Sequence, residues 1–564
     1  MWRTDETMDE QAQALLDRLV PELADLQKRA ALAYWKATTT GDKQYEQQYS
    51  ELEKQYREKL ADGQLFERLK TLKDGEVSDP VIARQITLLY NEALPNQIPK
   101  EDIAELVQRT AEIESTFTRF RATYQGKPIS DNEIRQILET ETDTYKRKEA
   151  WYASKQIGEK IVDKLIELVK HRNAIARKLG FRDFFQMMLT VQETDEGELF
   201  SLMDELKQKT DQPYADIKGE MDKIIASRYK DLRPEGLRHW HYVDPFFQEA
   251  PDVFDVDLNR IFQDKKLEDI AAAFYKAIGF DVTDILARSD LYERDQKQQH
   301  AFFTDIDREG DVRIVCNLQP NEKWMSTLLH ELGHAVYDKY HDETLPYVLR
   351  QPAHIASTES IAMMMGRLTK NVSWLTHYAG IDGETAENMK INLTKQAVLA
   401  QLILLRWCLV MVYFERDLYA NPDQDLTKRW WHYVETIQFV PCPEARHKPD
   451  WASKIHFTVA PVYYQNYLLG ELMASQIWTT IEKTVGSGGD DLVKHEGVGQ
   501  FLKENIFRHG AKYQWNDLLE KATGEKLNPD HHVNYLVSTV EQLVETKKKK
   551  APRKKTPTKK DTKE

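Results

Sequence analysis

Two histidines and the glutamate between them define the chemistry this chain can do. In Thr327-Leu328-Leu329-His330-Glu331-Leu332-Gly333-His334-Ala335-Val336, the histidines stand four residues apart. On a helix, that spacing projects both side chains from one face. Two imidazole nitrogens can then reach one Zn²⁺ at about 2.0–2.1 Å each. Glu331 falls beside the metal rather than on it, where it can take a proton from the attacking water. The predicted chemistry is zinc-dependent hydrolysis, with a peptide bond as the first candidate. The flanking residues argue against a solvated surface helix, because none of them is ionisable. An apolar run that holds three ionisable groups is costly unless they are coordinated or paired.

A catalytic zinc takes three protein ligands and leaves one position open. A third histidine six residues after His334 would complete one known solution, but that position is Tyr340, and His341 is one residue out of register. His341 therefore reads as a helix-end histidine. Glu343 is too close in sequence for the chain to turn back. Glu359 is better placed, in Ala356-Ser357-Thr358-Glu359-Ser360-Ile361-Ala362-Met363-Met364-Met365. Ser357 or Thr358 is expected to cap a new helix with Ile361, Ala362, Met364 and Met365 on its apolar side. Glu359 would then lie in the first turn, facing the motif helix as third ligand.

These residues need elements to hold them. The chain has 564 residues, 41% hydrophobic and 30% charged, with 23 glycines and 20 prolines and no linker rich in either. Residues 8–36, 44–73, 99–125, 132–178 and 196–229 read as amphipathic helices. The expected fold is mostly α-helical, a single two-lobed domain over residues 1–546 around a deep groove. Residues 1–120 would roof that groove as a lid. Three cysteines make no disulfide framework, and the N-terminus lacks an apolar leader, so a reducing cytoplasm is expected. Export with the signal peptide already removed is the alternative. The apolar run from Ala397 to Phe414 holds Gln401 and Arg406 and reads as a core helix, not a membrane span.

The tail, 547–564, carries ten basic and two acidic residues. It contributes +8 to a total of −14, so the body carries −22. An acidic body is poorly suited to specific nucleic-acid binding. The tail is expected to be disordered, a solubilising end with at most weak attachment to anionic surfaces.

A second cluster lies downstream: Lys454-Ile455-His456-Phe457, then Tyr463-Tyr464-Gln465-Asn466-Tyr467. Peptide hydrolysis develops an oxyanion, and each donor aimed at it is worth roughly 10²–10³ in rate. A histidine and a tyrosine hydroxyl can be such donors, and a lysine can hold a carboxylate. On composition alone, ring packing and an exposed lysine explain the cluster as well.

Together these segments resemble the angiotensin-converting-enzyme family of zinc peptidyl-dipeptidases. The likeness runs from about Ala33-Tyr34-Trp35 to Leu543 and is patchy before residue 180. It rests on His330-Glu331-Leu332-Gly333-His334, on Leu345-Pro346-Tyr347-Val348-Leu349-Arg350 followed by Glu359, on Gln299-His300-Ala301-Phe302, on Trp430-Trp431, and on the Lys454-to-Tyr467 segment, which has one residue inserted. The resemblance implies that His330, His334 and Glu359 bind zinc and that Glu331 is the general base. It implies that His456 and Tyr467 stabilise the oxyanion, and that His300 and the Ala301 backbone hold the substrate main chain. Lys454 and Tyr464 would grip the free C-terminal carboxylate of an oligopeptide, a fixed distance from the metal that measures off a dipeptide.

The chain also departs from the pattern. Met363 stands where the family has an aspartate behind a zinc histidine. Asn466 replaces its chloride-binding arginine, which puts chloride activation in doubt. Its carboxylate-binding glutamine has no clear match near Trp240-His241-Tyr242. Gln299 replaces a disulfide cysteine, leaving Cys316 free. Two other readings compete: a zinc oligoendopeptidase of the thimet type, which cuts internally, and a catalytically silent peptide-binding protein, which would be expected to have lost Glu331 or a ligand.

Overall fold

Asp62 and Asp143 each start a new helix inside a stretch expected to be one helix. The Asp62 side chain accepts the backbone N–H of Leu65 at 2.7 Å, and Asp143 accepts that of Tyr145 at 2.8 Å. Capping at such positions is worth about 1 kcal/mol, enough to reset a chain with no preference of its own for one long rod. The stretch expected at 44–73 is therefore two helices, Lys43–Leu60 and Gly63–Asp74, and that expected at 132–178 is Asp131–Thr140 and Thr144–Lys178. The helix expected at 99–125 ends at Arg119. Beyond it, Ala122–Tyr124 pairs antiparallel with Lys127–Ile129 around Gly126, which has φ +76°. The computed structural model describes residues 7–486 and 492–550. Among these the fold is mostly α-helical, with two small antiparallel hairpins.

One apolar core runs from Ile113 to Val540 and contains the motif helix, Glu322–Lys339. At its centre is the helix Gly383–Ala420. It is long and apolar enough to cross a membrane, but 78% of its apolar window is buried inside the protein. Arg406 is fully enclosed there, hydrogen-bonded to Thr210 at 2.7 Å and to Asp211. The expectation of a core helix for this stretch is met.

A second, smaller apolar cluster joins the helices Met8–Thr40, Lys43–Leu60, Gly63–Asp74 and Pro80–Ala93, with Val348 from the body. The next helix, Lys100–Arg119, packs instead on Thr144–Lys178 and belongs to the main core. The separate N-terminal unit therefore closes near residue 96 rather than 120, because Ile113 is buried with the body. At the other end the helix Asp530–Lys550 runs four residues past 546, the boundary expected for the tail, and takes in Lys547–Lys550. The remainder, 551–564, lies outside the described residues.

Candidate metal centre

Three helices meet at the His-Glu-x-x-His motif, and glycine sets their spacing. A Cβ on Gly333 would stand 2.7 Å from the Ala362 Cα, and one on Gly470 would stand 3.2 Å from the Glu359 Cβ. Both positions let backbones approach where any side chain would wedge them apart. Gly333 belongs to the motif helix, Ala362 and Glu359 to the helix Ile355–Gly366, and Gly470 to the helix Tyr464–Val485. The cap of the second helix differs from the sequence expectation. His354, not Ser357 or Thr358, caps it, its Nδ1 accepting the Ala356 N–H at 2.9 Å. Glu359 thus sits in the second turn, and the residues expected as caps are free for other contacts.

The three donors converge. His330 Nε2 and His334 Nε2 are 3.2 Å apart, and Glu359 Oε2 lies 3.7 Å from the first and 3.8 Å from the second. Ligands about 2.0–2.1 Å from a tetrahedral zinc stand roughly 3.3 Å from one another, so the set fits that ion. Glu359 Oε2 is buried with no hydrogen-bond partner among the described residues, an orphan that a cation would satisfy. Burial lowers His330 to about 4, and burial plus the neighbouring His330 holds His334 well below its ordinary value. Both rings therefore keep a lone pair free for a metal. Glu359 is raised to about 7 by burial. A bound dication reverses that preference and favours the carboxylate.

Thr358 supplies what Met363 cannot. Its hydroxyl lies 2.7 Å from His334 Nδ1. With the Nδ1 proton donated there, Nε2 is left as the metal-facing nitrogen. The ring of Phe303, at 5.4 Å and 21° to His334, packs against that imidazole. Glu331 is buried beside the triad and raised to about 8, first by burial and then by the charge of Glu359. A carboxyl near neutrality is suited to accept and return a proton. His341 is no ligand: it is buried, with Nε2 3.5 Å from Asp338 Oδ1. It stands directly after the end of the motif helix, as expected, but enclosed rather than solvated.

The other expected site residues lie just before the strand Phe302–Asp305, on the helix Tyr464–Val485 and in the segment that leads into it. His300 is exposed and Ala301 half-buried, directly before the strand Phe302–Asp305, which pairs on one side with Val312–Val315 and packs on the motif helix. Among the described residues its other edge carries no strand. Tyr463 reaches Glu359 Oε1 at 3.4 Å, and its ring meets that of Tyr467 at 5.2 Å. Tyr467 is half-buried, raised to about 12 by burial and then by the charge of Glu359, and so keeps its proton to donate. His456 is lowered to about 4 by burial and then by Lys454.

Lys454 is buried, and its ammonium donates to Gln248 Oε1 at 2.7 Å. The rings of Trp407, Phe246 and Tyr464 lie 5.1, 5.3 and 5.8 Å from its Nζ. Tyr464 presents its ring to that cation. The amide beside the lysine is Gln248, which comes from the loop after Phe247 rather than from Trp240-His241-Tyr242. Tyr463, Thr358 and Gln248 were not singled out as site residues from the sequence. The doubled tyrosine was visible there as an inserted residue, and Thr358 as the neighbour of Glu359. For Gln248, 206 positions from Lys454, the sequence carries no signal.

A model of the family described as angiotensin-converting enzyme matches residues 6–233 and 238–553. The chain belongs to the angiotensin-converting-enzyme family. Among curated relatives, carboxypeptidase 1 of Bacillus subtilis is 23% identical over 315 residues, which is 51% of this chain and 60% of that protein. Thermostable carboxypeptidase 1 of Pyrococcus furiosus is 22% identical over 263 residues, 42% of this chain and 52% of that protein. The chain thus spans just over half the length of the curated relatives it matches. Within the family's pattern, Asn466 is fully buried and donates to Gln192 at 3.1 Å, a neutral contact in place of a cation.

Proposed function

We propose that this chain is a zinc-dependent peptidyl-dipeptidase that releases dipeptides from the free C-terminus of oligopeptides. The observation that carries the metal chemistry is the convergence of His330 Nε2, His334 Nε2 and Glu359 Oε2 around an orphaned carboxylate oxygen. Zinc held there would polarise the scissile carbonyl and acidify the attacking water. Glu331 takes that water's proton and returns it to the leaving amine. Tyr467 and His456 donate to the oxyanion of the tetrahedral intermediate, with Tyr463 beside them. Ala301 and His300 hold the substrate main chain along the edge of the following strand that carries no partner strand among the described residues.

The buried Lys454, with Gln248 on its ammonium, supports the C-terminal preference. A substrate carboxylate entering there finds a desolvated cation and an amide. Chloride is not part of the proposal, since Asn466 offers no charge. The free thiols Cys316, Cys408 and Cys442 suit a reducing cytoplasm. The basic tail adds, on charge alone, a weak and salt-sensitive attraction to anionic surfaces.

The test is mass spectrometry of products from one decapeptide with a free C-terminus and the same peptide amidated. Dipeptide release from the first and loss of most turnover on the second is the expected result. Equal internal cleavage of both would replace this reading with the oligoendopeptidase one.

A further inference from the structure

Behind the helix that carries Glu359, a cavity of about 530 Å³ lies between that helix, the central helix Gly383–Ala420, the helix Tyr464–Val485 and the C-terminal helix Asp530–Lys550. None of the residues placed around the metal lines it. Its size is that of a small-molecule site, about 300–1,000 Å³.

Most polar groups on its wall already have partners. Trp478 Nε1 donates to Glu482 at 2.9 Å, Ser475 Oγ pairs with His532 Nδ1 at 2.8 Å, His531 pairs with Glu525 at 2.7 Å, and Lys370 with Glu322 at 3.3 Å. Arg367 and Glu471 are different. They meet end-on, one nitrogen to one oxygen at 3.4 Å, and among the described residues neither side chain makes another hydrogen bond. A guanidinium has five N–H donors in a fork, and a carboxylate about four acceptor positions. Each member of the pair therefore faces the cavity with most of its capacity unused. Burial also pushes the Glu471 carboxyl up, with Arg367 only partly opposing it. Met364, Leu404 and Trp478 supply an apolar wall.

We propose that this cavity binds a free α-amino acid with an apolar side chain, its carboxylate forked onto Arg367, its ammonium on Glu471 and its side chain against Leu404 and Trp478. Only a ligand with both charges satisfies both halves of the pair. An anion alone would leave Glu471 unpaired, and an amine alone would leave Arg367 so. Free amino acids are what complete hydrolysis of peptides yields, so the reaction class that supplies the ligand is peptide breakdown. The bound ligand would bridge Arg367, which directly follows the helix of Glu359, to the helix that carries Tyr467 and Glu471, and so couple to metal binding, with reciprocal effect.

The proposal goes beyond the peptidase reading and its test needs no turnover. Thermal unfolding is measured for the full chain and for Lys454→Met, which removes carboxylate capture at the substrate anchor. The probes are L-leucine, N-acetyl-L-leucine and L-leucinamide. L-leucine at about a hundred times its Kd should raise the midpoint by roughly 2 °C in both proteins. The two blocked probes should leave Lys454→Met unshifted. Glu471→Gln, nearly isosteric, and Arg367→Gln should each abolish the shift, each read against its own unliganded midpoint. An equal shift from N-acetyl-L-leucine in Lys454→Met overturns the proposal. So does an undiminished L-leucine shift in Glu471→Gln, or no shift in the full chain with leucine, isoleucine, methionine or phenylalanine.

Discussion

Thr358 can do with a hydroxyl what a carboxylate would do more strongly: accepting from Nδ1, 2.7 Å away, it would hold the proton of His334 on the nitrogen away from a bound metal. A group behind a ligand histidine typically contributes about 10–100-fold to metal affinity. Thr358→Val keeps the shape and deletes the acceptor, so zinc affinity, read by competition with a chelator, should fall by about that factor. Unchanged affinity would mean that His334 is held by packing against Phe303 alone. Lys454 carries a pH signature. Burial lowers it to about 8, with Asp244 and Glu249 opposing. The ammonium proposed to grip a substrate carboxylate is present below that pH and lost above it. KM for free-carboxylate peptides should therefore climb as pH rises through about 8, while KM for amidated peptides stays level. A flat profile for both would remove Lys454 from substrate binding.

Helices here are positioned by what is missing from their surfaces. Gly333 and Gly219 both lie inside helices, yet the same substitution should act on them with opposite signs. At Gly333 a methyl would stand 2.7 Å from the Ala362 Cα, so Gly333→Ala forces the motif helix off the helix of Glu359. A loss of about 1–3 kcal/mol is expected, together with less zinc retained per chain by elemental analysis, since the ligand set spans those two helices. At Gly219 a methyl meets nothing within 4 Å. Gly219→Ala should gain roughly 0.5–1 kcal/mol from helix propensity, with zinc unchanged. Denaturant unfolding separates the two.

Among the described residues two apolar clusters of unequal size hold the fold, and they should not open together. The four N-terminal helices share a small cluster that meets the body through Val348. Beneath them a cavity of about 380 Å³ is lined by Tyr34 and Gln27 from the first helix and by Asp305, Arg308 and Asp338 from the body. A unit with few apolar contacts to its neighbour opens at lower free energy than the core. Native-state hydrogen exchange should show residues 8–93 exchanging as a group ahead of 144–178 and 383–420. The junction also has a pH dependence. Burial raises Asp305 to about 6 and Asp338 well above the usual carboxylate range. Carboxyls that hold protons longer in the folded state lose stability for it as pH rises through their folded values. N-terminal protection should therefore weaken between about pH 4 and pH 6 and beyond, while the core keeps its own. Concerted exchange of both regions at all pH values would mean a single cooperative unit.

The sequence by itself determined whatever is local. Four residues from His330 to His334 are one helical turn, and that geometry holds on any helix. An apolar flank without charges told that the turn was buried, and the doubled histidine with Glu331 told what it was for. Glu359 was legible because a second apolar helix had to follow within reach. The tertiary structure decided whatever depends on the path of the chain between elements. It put Thr358 rather than residue 363 behind His334, brought Gln248 from a distant loop onto Lys454, and gave Tyr463 a place beside Glu359. It also ended the N-terminal unit before Ile113. Side-chain period fixes which face of an element is buried. Which neighbour that face meets is set by closing loops and by glycines that let backbones touch, and neither leaves a period to read.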